Sequence, residues 1–80
     1  MFKVIDNGVE IFCTIVKLFS DDSNGINYII YTDGTKDESG KNLLYASRYT
    51  IQGKDYVLDS IKSDYEWNFI DNILGLEFGD

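Results

Sequence analysis

Leu58-Asp59-Ser60-Ile61-Lys62-Ser63-Asp64-Tyr65-Glu66-Trp67 is the stretch where a β-rich chain hands over to a helix. Ser63 and Glu66 have the spacing of a capping box. The serine hydroxyl can accept from the third helical N–H while the glutamate reaches back to the serine N–H. A helix is therefore expected over about 64–74, with Asp64 and Glu66 favoured at the positive end of its dipole. Trp67, Ile70, Ile73 and Leu74 fall at i, i+3, i+6 and i+7, a stripe to bury against a sheet. Gly75 stands where a left-handed C′ residue would end the helix, and Leu76 and Phe78 are expected to fold back onto the core.

Working back from Ser63, the chain reads as short strands and turns. Strands are expected over about 2–6, 9–19, 26–32, 43–51 and 55–61. Asn7-Gly8 is the dipeptide of a type I′ turn. Gln52-Gly53-Lys54-Asp55 closes a second hairpin. Residues 9–19 are β-branched and aromatic on both faces. A strand so long is expected to bend or bulge midway and change the face it buries. Asp33 to Asn42, with Gly34, Gly40 and five charges, reads as a loop. The expected fold is α+β: a four- to five-stranded antiparallel β-meander with one C-terminal α-helix packed on one face.

Composition limits the function classes. Eighty residues suffice for one domain, and a chain of this size buries roughly 60% of its unfolded surface. Hydrophobic residues make up 44% and aromatics 15%, enough for a packed core. Fourteen acidic against seven basic residues give a net charge of −7, which repels phosphate backbones, so no nucleic-acid partner is expected. No signal peptide or long apolar run is visible, so no membrane partner is expected and the location is read as cytoplasmic.

Catalytic arrangements find little support. Histidine is absent, which removes Ser-His, Cys-His and His-metal sites. Cys13 is the only cysteine and lies in a β-branched run, where a buried inert thiol is expected. The carboxylate pairs Asp21/Asp22 and Asp37/Glu38 fall in turns and read as solvated surface charge. Asp33-Gly34-Thr35-Lys36-Asp37-Glu38 offers oxygen ligands but lacks the EF-hand spacing, and the glycines match no phosphate-binding pattern. No cofactor, metal site or catalytic residue is assigned. Six tyrosines remain, read chiefly as cross-strand packing. Tyr28, Tyr31, Tyr45 and Tyr49 with Arg48, the only arginine, form the candidate interaction surface, because tyrosine is enriched in interface cores. Arg48 is also expected to pair with a cross-strand carboxylate.

Several segments, taken in order, carry a family resemblance. They are Val4-Ile5-Asp6-Asn7-Gly8-Val9-Glu10, Asn27-Tyr28-Ile29-Ile30-Tyr31-Thr32-Asp33, Leu44-Tyr45-Ala46-Ser47-Arg48-Tyr49, and Leu58-Asp59-Ser60-Ile61 followed by Asp64, Glu66 and Trp67. With these the chain resembles the YrzB-like family of short acidic Firmicutes proteins (domain of unknown function 1292), over nearly its whole length. It departs from that family's pattern in being less acidic. The resemblance implies a cytoplasmic bacterial protein and supplies no catalytic residue. The function expected is a non-enzymatic protein–protein interaction module, with a protein partner or a homodimer. The alternatives are an acidic inhibitor that mimics nucleic acid, and a small-molecule binder or enzyme using loop carboxylates.

Overall fold

A computed structural model describes residues 2–78, with side chains placed through Gly75. Five strands, β1 (Phe2–Asp6), β2 (Val9–Asp21), β3 (Ile26–Thr32), β4 (Tyr45–Gln52) and β5 (Asp55–Asp59), precede one helix, α1 (Asp64–Phe78). The α+β class stands. The open meander is corrected: the sheet closes into a barrel in the order β1-β2-β3-β4-β5, with β1 and β5 side by side.

Consecutive strands pair antiparallel, but the closing pair is parallel, Val4 facing Tyr56 and Asp6 facing Leu58. This follows from parity. In an up-and-down chain of five strands the first and last run the same way, so joining them makes a parallel seam.

Two strands turn the corners that allow closure. β2 pairs with β1 through Val9–Cys13 and with β3 through Thr14–Asp21. Likewise β4 pairs with β3 through Tyr45–Arg48 and with β5 through Arg48–Gln52. The ladder between β2 and β3 shifts between Ile15 and Lys17, a β-bulge. Before it Cys13 and Ile15 point into the barrel; after it Lys17 and Phe19 lie opposite Ile30 and Tyr28 on the outer face. The long strand therefore bends and changes faces as its two-sided apolar pattern suggests. A bulge adds local bend and twist, which curls a flat meander towards closure.

The Asn7-Gly8 turn has both φ values positive, 53° and 79°, as a type I′ hairpin requires. Val4, Cys13, Ile29, Tyr31 and Leu58 fill the barrel interior. Tyr28, Ile30 and Ile70 form a second core between β3 and α1, flanked by Phe19, Phe69 and Leu74. β3 is thus buried on both faces, which explains its unbroken run Tyr28-Ile29-Ile30-Tyr31.

The helix continues through Gly75 to Phe78, so Gly75 is a helical residue and not its left-handed cap. Nothing in the helix register forces a stop there, and glycine inside a helix costs only about 1 kcal/mol relative to alanine. The fold-back of Leu76 and Phe78 lies outside the described side chains. β4 starts at Tyr45, two residues later than expected, and β5 ends at Asp59, two earlier.

The buried stripe of α1 is also displaced. Ile70 is buried and Phe69, Ile73 and Leu74 are partly so, but Trp67 is 46% exposed and Glu66 takes the inward position one residue before it. A carboxylate occupies the place where the apolar spacing predicts an indole.

Candidate functional site

Glu66 is 2% exposed, and its burial is possible only because its oxygens are saturated with donors. Arg48 forks onto it, Nε donating to Oε2 and Nη2 to Oε1, both at 2.6 Å. The Tyr28 hydroxyl donates to Oε2 at 3.0 Å. Oε1 also accepts from Ser63 Oγ at 3.0 Å and from the Lys62 N–H at 3.2 Å. Ser63 Oγ in turn accepts the Glu66 N–H at 3.3 Å. The capping box therefore forms with one partner changed, since the glutamate reaches the hydroxyl of Ser63 and the N–H one residue earlier. Arg48 first, with Ser63, Tyr28 and Lys62, holds the Glu66 carboxyl down at about 2 against the opposing cost of burial. Arg48 meets a carboxylate as expected, but its partner lies on the helix; its strand partner in register is Asp59.

A second polar pin ties the β2–β3 turn to the helix. Ser23 Oγ donates to Asp21 Oδ1 at 2.7 Å and the Tyr65 hydroxyl donates to Asp21 Oδ2 at 2.9 Å. Asp21 is buried and held below the usual carboxylate range, chiefly by Ser23. It is a structural anchor, not the solvated charge its turn position suggests.

The candidate interaction residues do not share one surface. Tyr28 is fully buried under the helix, stacked with Phe19 at 5.6 Å. Tyr31 lies in the barrel core and stacks on Tyr45 at 5.6 Å. Tyr49 packs against that core and stacks on Tyr56 at 5.3 Å. Arg48 is committed to Glu66. Among the five, only Tyr45 is exposed, at 37%.

Tyr45 belongs to a different arrangement, one that sequence reasoning missed. A groove of about 260 Å³ lies between α1 and the entry to β4, lined by Leu44, Tyr45, Ala46, Trp67, Ile70, Asp71 and Leu74 over Ile30 and Tyr31. Leu43 and Leu44 precede β4 and are themselves exposed. Their loop is fixed by the Leu43 N–H donating to the Thr35 carbonyl at 2.8 Å. No sequence signal marked this groove, since the sequence pattern places Leu43 and Leu44 in a strand and Trp67 on the buried stripe, whereas both leucines precede β4 and Trp67 is 46% exposed.

The carboxyls with displaced pKa values, Asp21, Asp33, Asp37, Asp59 and Glu66, are all held down by donors around them. That makes them worse proton carriers near neutrality. Burial pushes the Cys13 thiol up, away from the thiolate form. Among the described residues no group of three or more acidic or cysteine side chains could hold a metal ion, and no helix is long and apolar enough to cross a membrane.

No solved structure matches the chain. A UPF0473 protein of Bacillus pumilus (strain SAFR-032) is 30% identical over 73 residues, covering 89% of this chain and 77% of that protein. A family model described as "Protein of unknown function (DUF1292)" matches residues 6–74, from the end of β1 to the later turns of the helix. That span takes in the handover at Ser63, the buried Glu66 and the groove, and the chain belongs to the DUF1292 family.

Proposed function

We propose that this protein is a non-enzymatic protein-interaction module that engages its partner through the groove between α1 and the entry to β4. The observation that carries the reading is that exposed Leu44, Tyr45 and Trp67 line one groove together with Ile30, Ile70 and Leu74. Contiguous exposed apolar patches rimmed by polar residues are a mark of interaction sites. The cluster sits on a helix held in place by the Glu66–Arg48 pair and on a loop fixed by backbone bonds, so its side chains are presented on rigid elements.

Two other readings draw less support. A mimic of nucleic acid needs carboxylates free and spaced like phosphates, whereas Lys3 lies between Glu10 and Asp55, and Lys62 pairs with Asp59. An enzyme using carboxylates needs at least one with a raised pKa, and the displaced ones move the other way.

The test is affinity capture at native expression level with the wild-type chain and with Leu44→Asp. A stoichiometric partner held by the wild type and lost by the variant, at an unchanged thermal midpoint, is the expected result. Recovery of no partner, together with a monomer by light scattering, sinks the reading.

A further inference from the structure

Charge around the groove selects among partners. The fifteen residues of α1 include Asp64, Glu66, Asp71 and Glu77 and no lysine or arginine. Its last turn has no basic residue, so the helix itself supplies no cation to the negative end of its dipole. Asp71 is exposed and, among the described residues, is the one charged side chain lining the groove. On the loop side the Lys36 ammonium donates to Asn42 Oδ1 at 2.7 Å, two residues before Leu44. A second copy of the chain would bring a further net charge of −7 and the same acidic helix, which opposes self-association through this face.

We infer that the groove takes a basic amphipathic segment of a partner protein, with apolar side chains between Leu44, Trp67 and Leu74 and a lysine or arginine against Asp71. This rests on the interaction reading above and adds the chemical class of the partner. Apolar burial supplies most of the affinity, while the cation beside Asp71 and the helix terminus sets orientation and encounter rate.

Trp67 is the only tryptophan and stands half-exposed on the groove wall, so its emission reports occupancy directly. The probes are three tryptophan-free helical peptides sharing one leucine stripe, with lysine, glutamine or glutamate on the polar face. The lysine peptide should blue-shift Trp67 and saturate, with affinity falling as salt rises, and the glutamate peptide should leave the emission unchanged. Asp71→Asn should weaken the lysine peptide about fivefold, in the range of a partly exposed charge pair, at an unchanged thermal midpoint. Glu10→Gln removes a charge on β2, outside the groove lining, and should have no comparable effect.

Equal weakening by Glu10→Gln and Asp71→Asn would reduce the effect to net charge and overturn the inference. Equal binding of all three peptides with Asp71→Asn silent would overturn the basic class while leaving a groove that binds apolar segments, so the interaction reading survives. No Trp67 response to any peptide overturns the inference, and the capture experiment with Leu44→Asp then decides the broader reading separately.

Discussion

Glu66 decides more at the scale of single residues than any aromatic side chain. Removing one member of an ion pair whose carboxylate is buried strands its partner, so Glu66→Ala and Arg48→Ala should each lower the unfolding midpoint, Arg48→Ala by leaving the buried carboxylate without its cation. Replacing both by apolar residues, Arg48→Met with Glu66→Leu, should cost clearly less than the sum of the single effects. A double-mutant cycle by denaturant unfolding measures this, and additive losses would mean the two side chains act independently. The pair also sets a pH dependence. Glu66 has a folded pKa of about 2, below the ordinary value of 4.5. Its contribution to stability is therefore complete above about pH 4.5 and is lost as pH falls from there through about 2. Thermal midpoints should drop over that window, and Glu66→Gln, already destabilised, should drop less. An equal fall in both proteins would place the acid sensitivity with other carboxylates such as Asp21 and Asp59.

Helix α1 shows at the scale of elements what periodicity reveals and what it misses. Its start at Ser63 was readable, because capping depends on residues close in sequence. Its buried face was not. An apolar stripe predicts Trp67 inward, but the position facing Tyr28 and Arg48 is Glu66, chosen by partners from β3 and β4 far away in the chain. Arg48 as sole arginine was the available hint, and no spacing rule joins it to a residue eighteen positions on. The consequence for substitution is direct. Ile70→Ala should cost about 2–5 kcal/mol as a cavity in the second core. Trp67→Ala should cost about 1 kcal/mol and leave a cooperative fold, since half the indole is already in water. Urea midpoints for the two variants check the order. Trp67→Ala as the more destabilising change would return the tryptophan to the core. In β2 the two-sided apolar pattern did signal the bend, since a strand buried on one side only would alternate. Gly75 misled for a plain reason: a glycine near a helix end is a permitted stop and not a required one.

Closure of the sheet could not be read from local pattern at the scale of the whole molecule. Five strands joined by three short turns and one longer loop describe a meander whether it lies open or curls shut. The difference lies in Val4, Ile5 and Asp6 finding Tyr56, Val57 and Leu58 at the other end of the sheet-forming chain. Turn chemistry carries no trace of that meeting. The tyrosine surplus has its account at this scale as well: Tyr31 on Tyr45 and Tyr49 on Tyr56 are stacked within the barrel wall, so most of the aromatic content serves the fold. The aromatics that stay exposed, Phe2, Phe12, Tyr45, Tyr65 and Trp67, are the minority.

The parallel seam carries a kinetic consequence. Every other strand pairing joins neighbours in sequence, across a tight turn or, for β3 and β4, the loop of residues 33–44, whereas β1 and β5 must wait for a loop of most of the chain to close. The seam should thus form after the rate-limiting barrier and be the first ladder to open. Val4→Ala, a truncation at the seam in the fully buried interior, should mainly speed unfolding, roughly tenfold for a loss of about 1.4 kcal/mol. Ile29→Val, in the hairpin of β2 and β3, should slow folding instead. Stopped-flow chevrons separate the two, and a folding rate reduced tenfold by Val4→Ala would mean that the ring is already shut at the barrier. On this view the lifetime of the native state is governed by three short seam pairs, and a longer-lived variant would be sought there before anywhere in the two cores.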